Sequence, residues 1–187
     1  MRFGLSLLAF LLAGSLQAAT QGLKEQDSVV PERKSATLSV SSIDANGVGT
    51  SIGVIQLEDT AEGLRITPSL NGLPPGKHGF HIHENPDCGP GLDKGKPAAG
   101  MAAGGHLDPA HAEKHLGPED DSGHLGDLPF LSVAKDGTAQ TVVIAPRLTV
   151  ADVLGHSVMI HAGGDNYSDQ PQPQGGGGAR IACGVFE

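Results

Sequence analysis

The chain's nine histidines set much of the chemistry open to it. His81 and His83 stand two apart in Gly79-Phe80-His81-Ile82-His83. On a strand, side chains at i and i+2 share a face, so both imidazoles project together. Two neutral imidazoles begin a copper or zinc site, although the pair alone fits two surface histidines as well. More donors follow. His106 lies in Gly104-Gly105-His106-Leu107-Asp108-Pro109, and His115 in Lys114-His115-Leu116-Gly117-Pro118. His124 and Asp127 share Gly123-His124-Leu125-Gly126-Asp127-Leu128-Pro129. Three imidazoles and a carboxylate are the number and type of ligands for a closed tetrahedral zinc site. His161 stands close to Asp165. Singly, each histidine fits a solvated loop. Jointly, six histidines and an aspartate in Gly/Pro-rich segments point to metal.

These donors need a frame. Ala36, Leu38 and Val40 alternate with Thr37 and Ser39, the period of a half-buried strand. Asn46-Gly47 marks a turn. Ile52 and Val54 lead a second strand toward Leu57, and Leu64 and Ile66 mark a third. After Pro74-Pro75-Gly76, residues 78–84 read as a fourth strand, with Phe80 and Ile82 on one face and His81 and His83 on the other. Periodicity then stops from Asn85 to Asp127. A loop of that length is uncommon in a compact domain unless something holds it, and a metal and a disulfide through Cys88 are the evident ties. Leu131 and Val133 precede Asp136-Gly137, which predicts a hairpin returning through Val142 and Ile144. Val150, Val153 and Leu154 read as a connection, and Val158 and Ile160 lead into His161. A second Gly/Pro-rich loop runs from Ala162 to Gly178, and Ile181 and Val185 flank Cys183 in a last strand. About eight strands with two long loops predict an all-β sandwich or flattened barrel.

Composition agrees and narrows the function. Aromatics are 3% with no Trp, so the core is expected to be aliphatic. Twenty-eight Gly and 13 Pro disfavour long helices. A formal net charge of -9 argues against a nucleic-acid partner, since phosphate binding needs a basic face. Met1-Arg2, the apolar run Leu5 to Leu12 and the small residues before Ala18-Ala19 have the three parts of a secretory signal peptide. Residues 1–19 are therefore read as a leader cleaved after Ala18 or Ala19. Residues 20–34 are read as a flexible mature N-terminus, and 35–187 as the folded domain. The apolar run is too short to span a bilayer, so no membrane is expected for the mature form. The only cysteines, Cys88 and Cys183, are expected to pair in an oxidising compartment. In the chain-entropy model, closing a loop of that size contributes roughly 4–5 kcal/mol.

Five segments, taken in order, resemble the copper/zinc superoxide dismutase family in its bacterial form. They are Gly79-Phe80-His81-Ile82-His83, Gly104-Gly105-His106, His124-Leu125-Gly126-Asp127-Leu128-Pro129, His161-Ala162-Gly163-Gly164-Asp165-Asn166 and Gly178-Ala179-Arg180-Ile181-Ala182-Cys183-Gly184-Val185. The resemblance runs from about residue 36 to the end. It implies an eight-stranded Greek-key flattened barrel whose two long loops carry the metal site. It implies copper ligands at His81, His83 and His161, and a bridging imidazolate at His106 shared by copper and zinc. His115, His124 and Asp127 are then the other zinc ligands, and Asp165 the carboxylate that orients one ligand of each metal. Arg180 guides superoxide, and Cys88 with Cys183 form the disulfide that anchors the long loop. The implied activity is an oxidoreductase that converts superoxide to oxygen and hydrogen peroxide in the periplasm.

The other features carry less. His78 is expected to pack or hydrogen-bond near the copper ligands. His111 matches no ligand, and His156 reads as a surface or strand-start residue. Glu119-Asp120-Asp121 reads as solvated loop, and the glycines 175–178 as a tight, unusual loop. Lys94 and Lys96 read as ordinary surface lysines before they read as substrate guides. A metal-buffering protein without turnover shares every ligand but has no use for Arg180 and Asp165. A zinc hydrolase needs an open zinc position, and a copper-only relative has no need of His115, His124 and Asp127. A homodimer stays open.

Overall fold

The computed structural model describes Met1 and residues 34–186. The expected leader and the polar stretch 20–34 lie outside the described residues, apart from Met1 and Lys34. The described chain is all-β apart from single helical turns. β1 (Ser35–Asp44) and β2 (Gly47–Thr60) form a long hairpin. The Asn46-Gly47 turn is held by Asp44 Oδ1, which accepts from both backbone N–H groups at 2.6 and 3.2 Å. β3 (Gly63–Leu70) pairs antiparallel with β2. β4 (Gly76–His78) and β5 (Phe80–His83) follow, then β6 (Gly91–Asp93) and β7 (Lys96–Ala98). β8 (Leu131–Val133), β9 (Val143–Ala145), α1 (Val150–Val153), β10 (Ser157–His161) and β11 (Arg180–Val185) complete the order.

Seven strands form one sheet in the order β5-β10-β11-β1-β2-β3-β9, and β4 pairs with β8. β4 continues into β5 across Gly79, and β8 leads on to β9. The β4–β8 pair therefore joins the two ends of the seven-stranded sheet and closes a Greek-key barrel. The eleven described strands are the eight expected ones, with the fourth split in two and an added β6–β7 hairpin. The split falls at Gly79, whose backbone turns to the second long loop. Its N–H donates to Gly163 O at 2.8 Å, and its O accepts from His161 N at 2.9 Å.

Two local readings need correction, and the connection at Val150 gains detail. Asp136-Gly137 does turn, with Ala134 N donating to Thr138 O at 2.8 Å, but β8 and β9 do not pair with each other. β8 lies against β4 and β9 against β3, with Ala139 bridging Leu70 on the way. The first long loop is also not wholly irregular. It contains the β6–β7 hairpin, turning at Lys94-Gly95 with both φ positive, and a 3-10 turn at Met101–Ala103. The stretch at Val150 is a helical turn, capped reciprocally by Thr149 and Asp152.

The barrel interior is aliphatic, as the scarcity of aromatics requires. Leu38, Val40, Ile55, Phe80, Ile82, Val158 and Ile160 belong to one cluster, all nearly or fully buried. Each such side chain contributes about 1.5–3 kcal/mol through burial. A smaller cluster of Ile43, Cys88, Ala103, Met159 and Cys183 lies apart from it. Met159 alternates with Val158 and Ile160, so this cluster sits on the barrel's outer face. The register pairs Met159 with His81 and Ser157 with His83. Both histidines therefore point outward.

Candidate metal centre

The free edge of β5 recruits the first long loop. Ile82 N donates to Gly126 O at 2.9 Å, and Ile82 O accepts from Leu107 N at 2.8 Å. Gly126 N closes the triangle on Leu107 O at 2.9 Å. Two loop segments thus extend the sheet and cover an edge that would otherwise offer unpaired groups. A side chain at position 126 would collide with the Ile82 carbonyl, so glycine is required there. The resulting bridges set His106 beside His83 and Asp127 beside His81. The second loop is laced on by Ala162 N to Ala179 O and Gly163 N to Gly177 O, both 2.7 Å. That lacing brings in Asp165.

Two groups of donors result. In the first, the ligand atoms of His81, His83, His106 and His161 lie within 4.8 Å of one another. One nitrogen of each ring is occupied. His81 Nε2 meets Asp165 Oδ2 at 2.7 Å, His83 Nδ1 meets Gly104 O at 3.0 Å, and His161 Nδ1 meets Gly178 O at 3.2 Å. His106 Nδ1 meets Asp127 Oδ1 at 2.9 Å. The other nitrogen of each, His81 Nδ1, His83 Nε2, His106 Nε2 and His161 Nε2, is buried without a hydrogen-bond partner. Burying an imidazole nitrogen unpaired is costly, and four together call for a cation.

The second group is His106, His115, His124 and Asp127. Asp127 Oδ1 lies 2.9, 3.0 and 3.4 Å from the Nδ1 atoms of His106, His115 and His124. The latter two lack hydrogen-bond geometry and are unpartnered. A tetrahedron with bonds of about 2.0–2.1 Å has edges of about 3.3–3.4 Å, so the spacing suits zinc with slight contraction. Asp127 Oδ2 is taken by Leu116 N and Gly117 N at 3.1 and 3.2 Å. Four donors make this a closed site.

Asp165 links the groups. Its buried carboxylate receives His81 Nε2 on Oδ2 and His115 Nε2 on Oδ1, both at 2.7 Å. Each bond fixes the tautomer that leaves Nδ1 free for a metal. Gly175, in the glycine run, leaves this carboxylate room, and a Cβ there would strike it.

Electrostatics divide the histidines. Burial, aided by the positive potential of neighbouring rings, pushes His81 and His83 well below the ordinary imidazole value. Burial also lowers His106, against the pull of Asp127, and brings His161 to about 4. His115 goes the other way. Burial lowers it, but Asp127 and Asp165 together outweigh burial and raise it to about 9. Both carboxylates stay below the usual range despite burial, because the histidines hydrogen-bond their charged forms.

Arg180 opens β11, opposite His161 across a bulge. Its Nη1 donates to Gly100 O at 2.6 Å and its Nη2 to Gly104 O at 2.8 Å. Gly104 O also faces His83 Nδ1, so one carbonyl ties Arg180 to the first group. Cys88 and Cys183 form a disulfide that fastens the loop next to this arginine's strand.

The remaining histidines lie outside both groups. His78 reaches two carbonyls, Pro74 O and His161 O, each at 2.7 Å. His111 is exposed at a positive φ, and His156 Nδ1 faces Glu84 O at 2.7 Å just before β10. Lys94 and Lys96 are exposed on the β6–β7 hairpin. Sequence reasoning passes over three residues that hold the loops. Glu84 Oε2 accepts from Gly105 N, Asp169 accepts from His115 N and Gln174 N, and Arg147 donates to three loop carbonyls. Each bonds to backbone, which leaves no motif to read.

Comparison with known proteins agrees with this geometry. The family model for copper/zinc superoxide dismutase (SODC) matches residues 51–186. Cu-Zn superoxide dismutase 1 of Salmonella typhimurium is 58% identical over 154 residues, covering 81% of this chain and 87% of its own. The Cu-Zn superoxide dismutase of Escherichia coli K12 is 46% identical over 187 residues, covering 100% and 99%. Among solved structures, the Cu/Zn superoxide dismutase from Brucella abortus superposes with a TM-score of 0.80 at 48% identity, over 82% of this chain and 100% of that one. The monomeric copper, zinc enzyme of Salmonella enterica gives 0.74 at 52% identity, over 82% and 100%. The chain belongs to the copper/zinc superoxide dismutase family.

Proposed function

We propose that this chain disproportionates superoxide, two anions and two protons giving oxygen and hydrogen peroxide. His81, His83, His106 and His161 would hold copper, and His106, His115, His124 and Asp127 would hold zinc. The carrying observation is the set of six imidazoles, each with a buried, unpartnered nitrogen, in two groups that share His106. Copper bound by an all-imidazole set supplies one-electron redox chemistry, while zinc supplies a fixed charge without redox.

The chain's own residues do the rest. Asp165 orients His81 and His115 together. His106 lies between the groups and holds or gives up a proton at Nε2, one of the two that the departing peroxide needs, the second coming from solvent. Arg180 keeps a positive charge close enough to lower His83 and His161, and that charge draws in an anion. Its pull weakens with salt, over a Debye length of about 8–10 Å. Gly100 O and Gly104 O hold the guanidinium in place.

Export to the periplasm fits the leader read in residues 1–19, with 20–34 the mature N-terminus ahead of the domain at 35–187. The Cys88–Cys183 disulfide supports an oxidising compartment. The relatives named above are bacterial, and one is described as monomeric. We propose no dimer for this chain.

The test is superoxide-dismutating activity of the exported, copper- and zinc-loaded protein against a His161→Ala variant. Fast turnover in the parent, lost in the variant, is the expected result. Full metal loading without turnover in the parent would instead leave a metal-buffering protein.

A further inference from the structure

We propose that Arg147 is a positioning residue for zinc: it clamps both ends of the 117–124 segment to the barrel rim and so raises the affinity of the zinc group. The proposal rests on the assignment of zinc to His106, His115, His124 and Asp127.

One guanidinium meets three carbonyls. Arg147 Nε donates to Pro118 O at 2.9 Å, and Nη2 donates to Gly117 O at 3.1 Å and His124 O at 2.7 Å. These acceptors flank the site closely. His124 is itself a donor of the group, and Gly117 N and Leu116 N are the groups that hold Asp127 Oδ2. Between the two clamped ends run Glu119, Asp120, Asp121 and Ser122, all exposed. The other bonds at these ends run within the loop itself: His124 N donates to Lys114 O at 2.9 Å, Asp127 N to His124 O at 3.4 Å, and Gly117 N to Asp127 Oδ2.

The base of Arg147 is firm. It follows β9, which is paired to β3 through Ala145 and Leu64. Leu148 beside it is buried, and Val150 N donates to Asp59 Oδ1 at 2.6 Å. The side chain therefore transmits the rigidity of the barrel to an irregular loop. The copper group does not lean on Arg147: its rings are held by Asp165, Gly104 O and Gly178 O, and Gly104 O is braced by Arg180 instead. Loss of the clamp should act on zinc and spare copper. The guanidinium reaches the three carbonyls from two separate nitrogens, Nε and Nη2, whereas lysine must reach them from one, at poorer geometry.

A local probe exists. Tyr167 packs its ring on Gly117, where a Cβ would lie 2.7–2.9 Å from the ring atoms. It is the sole tyrosine of a chain without Trp. Its ultraviolet emission therefore reports the seating of Gly117.

The experiment compares the parent with Arg147→Met and Arg147→Lys. Zinc and copper affinities are measured separately by chelator competition, along with the thermal midpoint of the metal-free protein and Tyr167 emission. Outer partners of metal ligands typically change affinity about 10–100-fold, and that loss is expected for zinc in Arg147→Met. Copper affinity should stay unchanged, the metal-free midpoint should fall modestly with the three lost hydrogen bonds, Tyr167 emission intensity should change, and Arg147→Lys should recover only part of the zinc loss. If Arg147→Met does not fold, a selective loss of zinc affinity in Arg147→Lys carries the same test. Unchanged zinc affinity, equal loss of zinc and copper, or full rescue by lysine overturns the clamp. A parent that binds no zinc overturns the zinc assignment as well.

Discussion

The two halves of the centre are built on different supports. The proposed copper half stands on strands, with His81 and His83 on β5 and His161 at the end of β10. Their backbone is fixed by sheet pairing over a packed interior. The proposed zinc half stands on loop, with His115, His124 and Asp127 outside every strand. Its geometry depends on Asp165, on the backbone bonds to Asp127 Oδ2 and on Arg147. Strand-borne ligands inherit order from the core. Loop-borne ligands draw it from the polar bonds around them and from the ion.

Removing ligands separates the halves most sharply. His83→Ala should abolish copper binding and leave zinc near stoichiometric, and His115→Ala should do the reverse. Metal content after dialysis reads both, and loss of copper in His115→Ala would mean that the halves are not separable. Next in size is the disulfide. Replacing Cys88 and Cys183 by Ser should cost up to about 4–5 kcal/mol in denaturant unfolding of the metal-free protein, from the loop it closes. Because that bridge fastens the loop near Arg180, activity at matched metal content should fall too.

Asp165→Asn reaches both halves at once. An amide has one acceptor oxygen for two imidazole N–H donors, so the affinity of at least one metal should drop about 10–100-fold. Which metal suffers more, read by competition titration, says which half depends more on this residue.

In pH dependence the halves oppose each other. His81, His83 and His161 have lowered values when folded, His161 at about 4. The unfolded chain takes up protons near 6.5, before the folded one does, so these groups lose stability as pH falls from about 6.5 toward 4. His115, raised to about 9, stabilises the folded state below about 6.5 and loses that contribution as pH rises through 9. The midpoint of the metal-free protein should therefore rise from pH 4 to about 6.5 and decline toward 9. His115→Gln should keep the rise and lose the decline. A decline that persists in His115→Gln would remove the electrostatic contrast between the halves.

The same contrast governs what the amino-acid sequence reveals. Period-two alternation suffices to set His81 and His83 on one face and Phe80 and Ile82 on the other, because strand geometry is local. Nothing local says that Gly126 and Leu107 will both bond Ile82, and so the loop donors are legible as types, in number, and through family resemblance. The Asp136-Gly137 turn is readable, but its partner choice is not. A turn fixes chain reversal, while the segments that meet β8 and β9 come from residues far away. Arg147 and Asp169 escape notice for a related reason, since carbonyls and N–H groups of a folded loop have no signature in residue type.

His81 and His83 point away from the apolar interior, and the donor groups attach to the barrel from outside. The chain can therefore complete its hydrophobic packing before it meets an ion. Ion binding then acts on loops laid over a packed barrel, and scarcity of copper or zinc should loosen those loops while leaving the barrel folded.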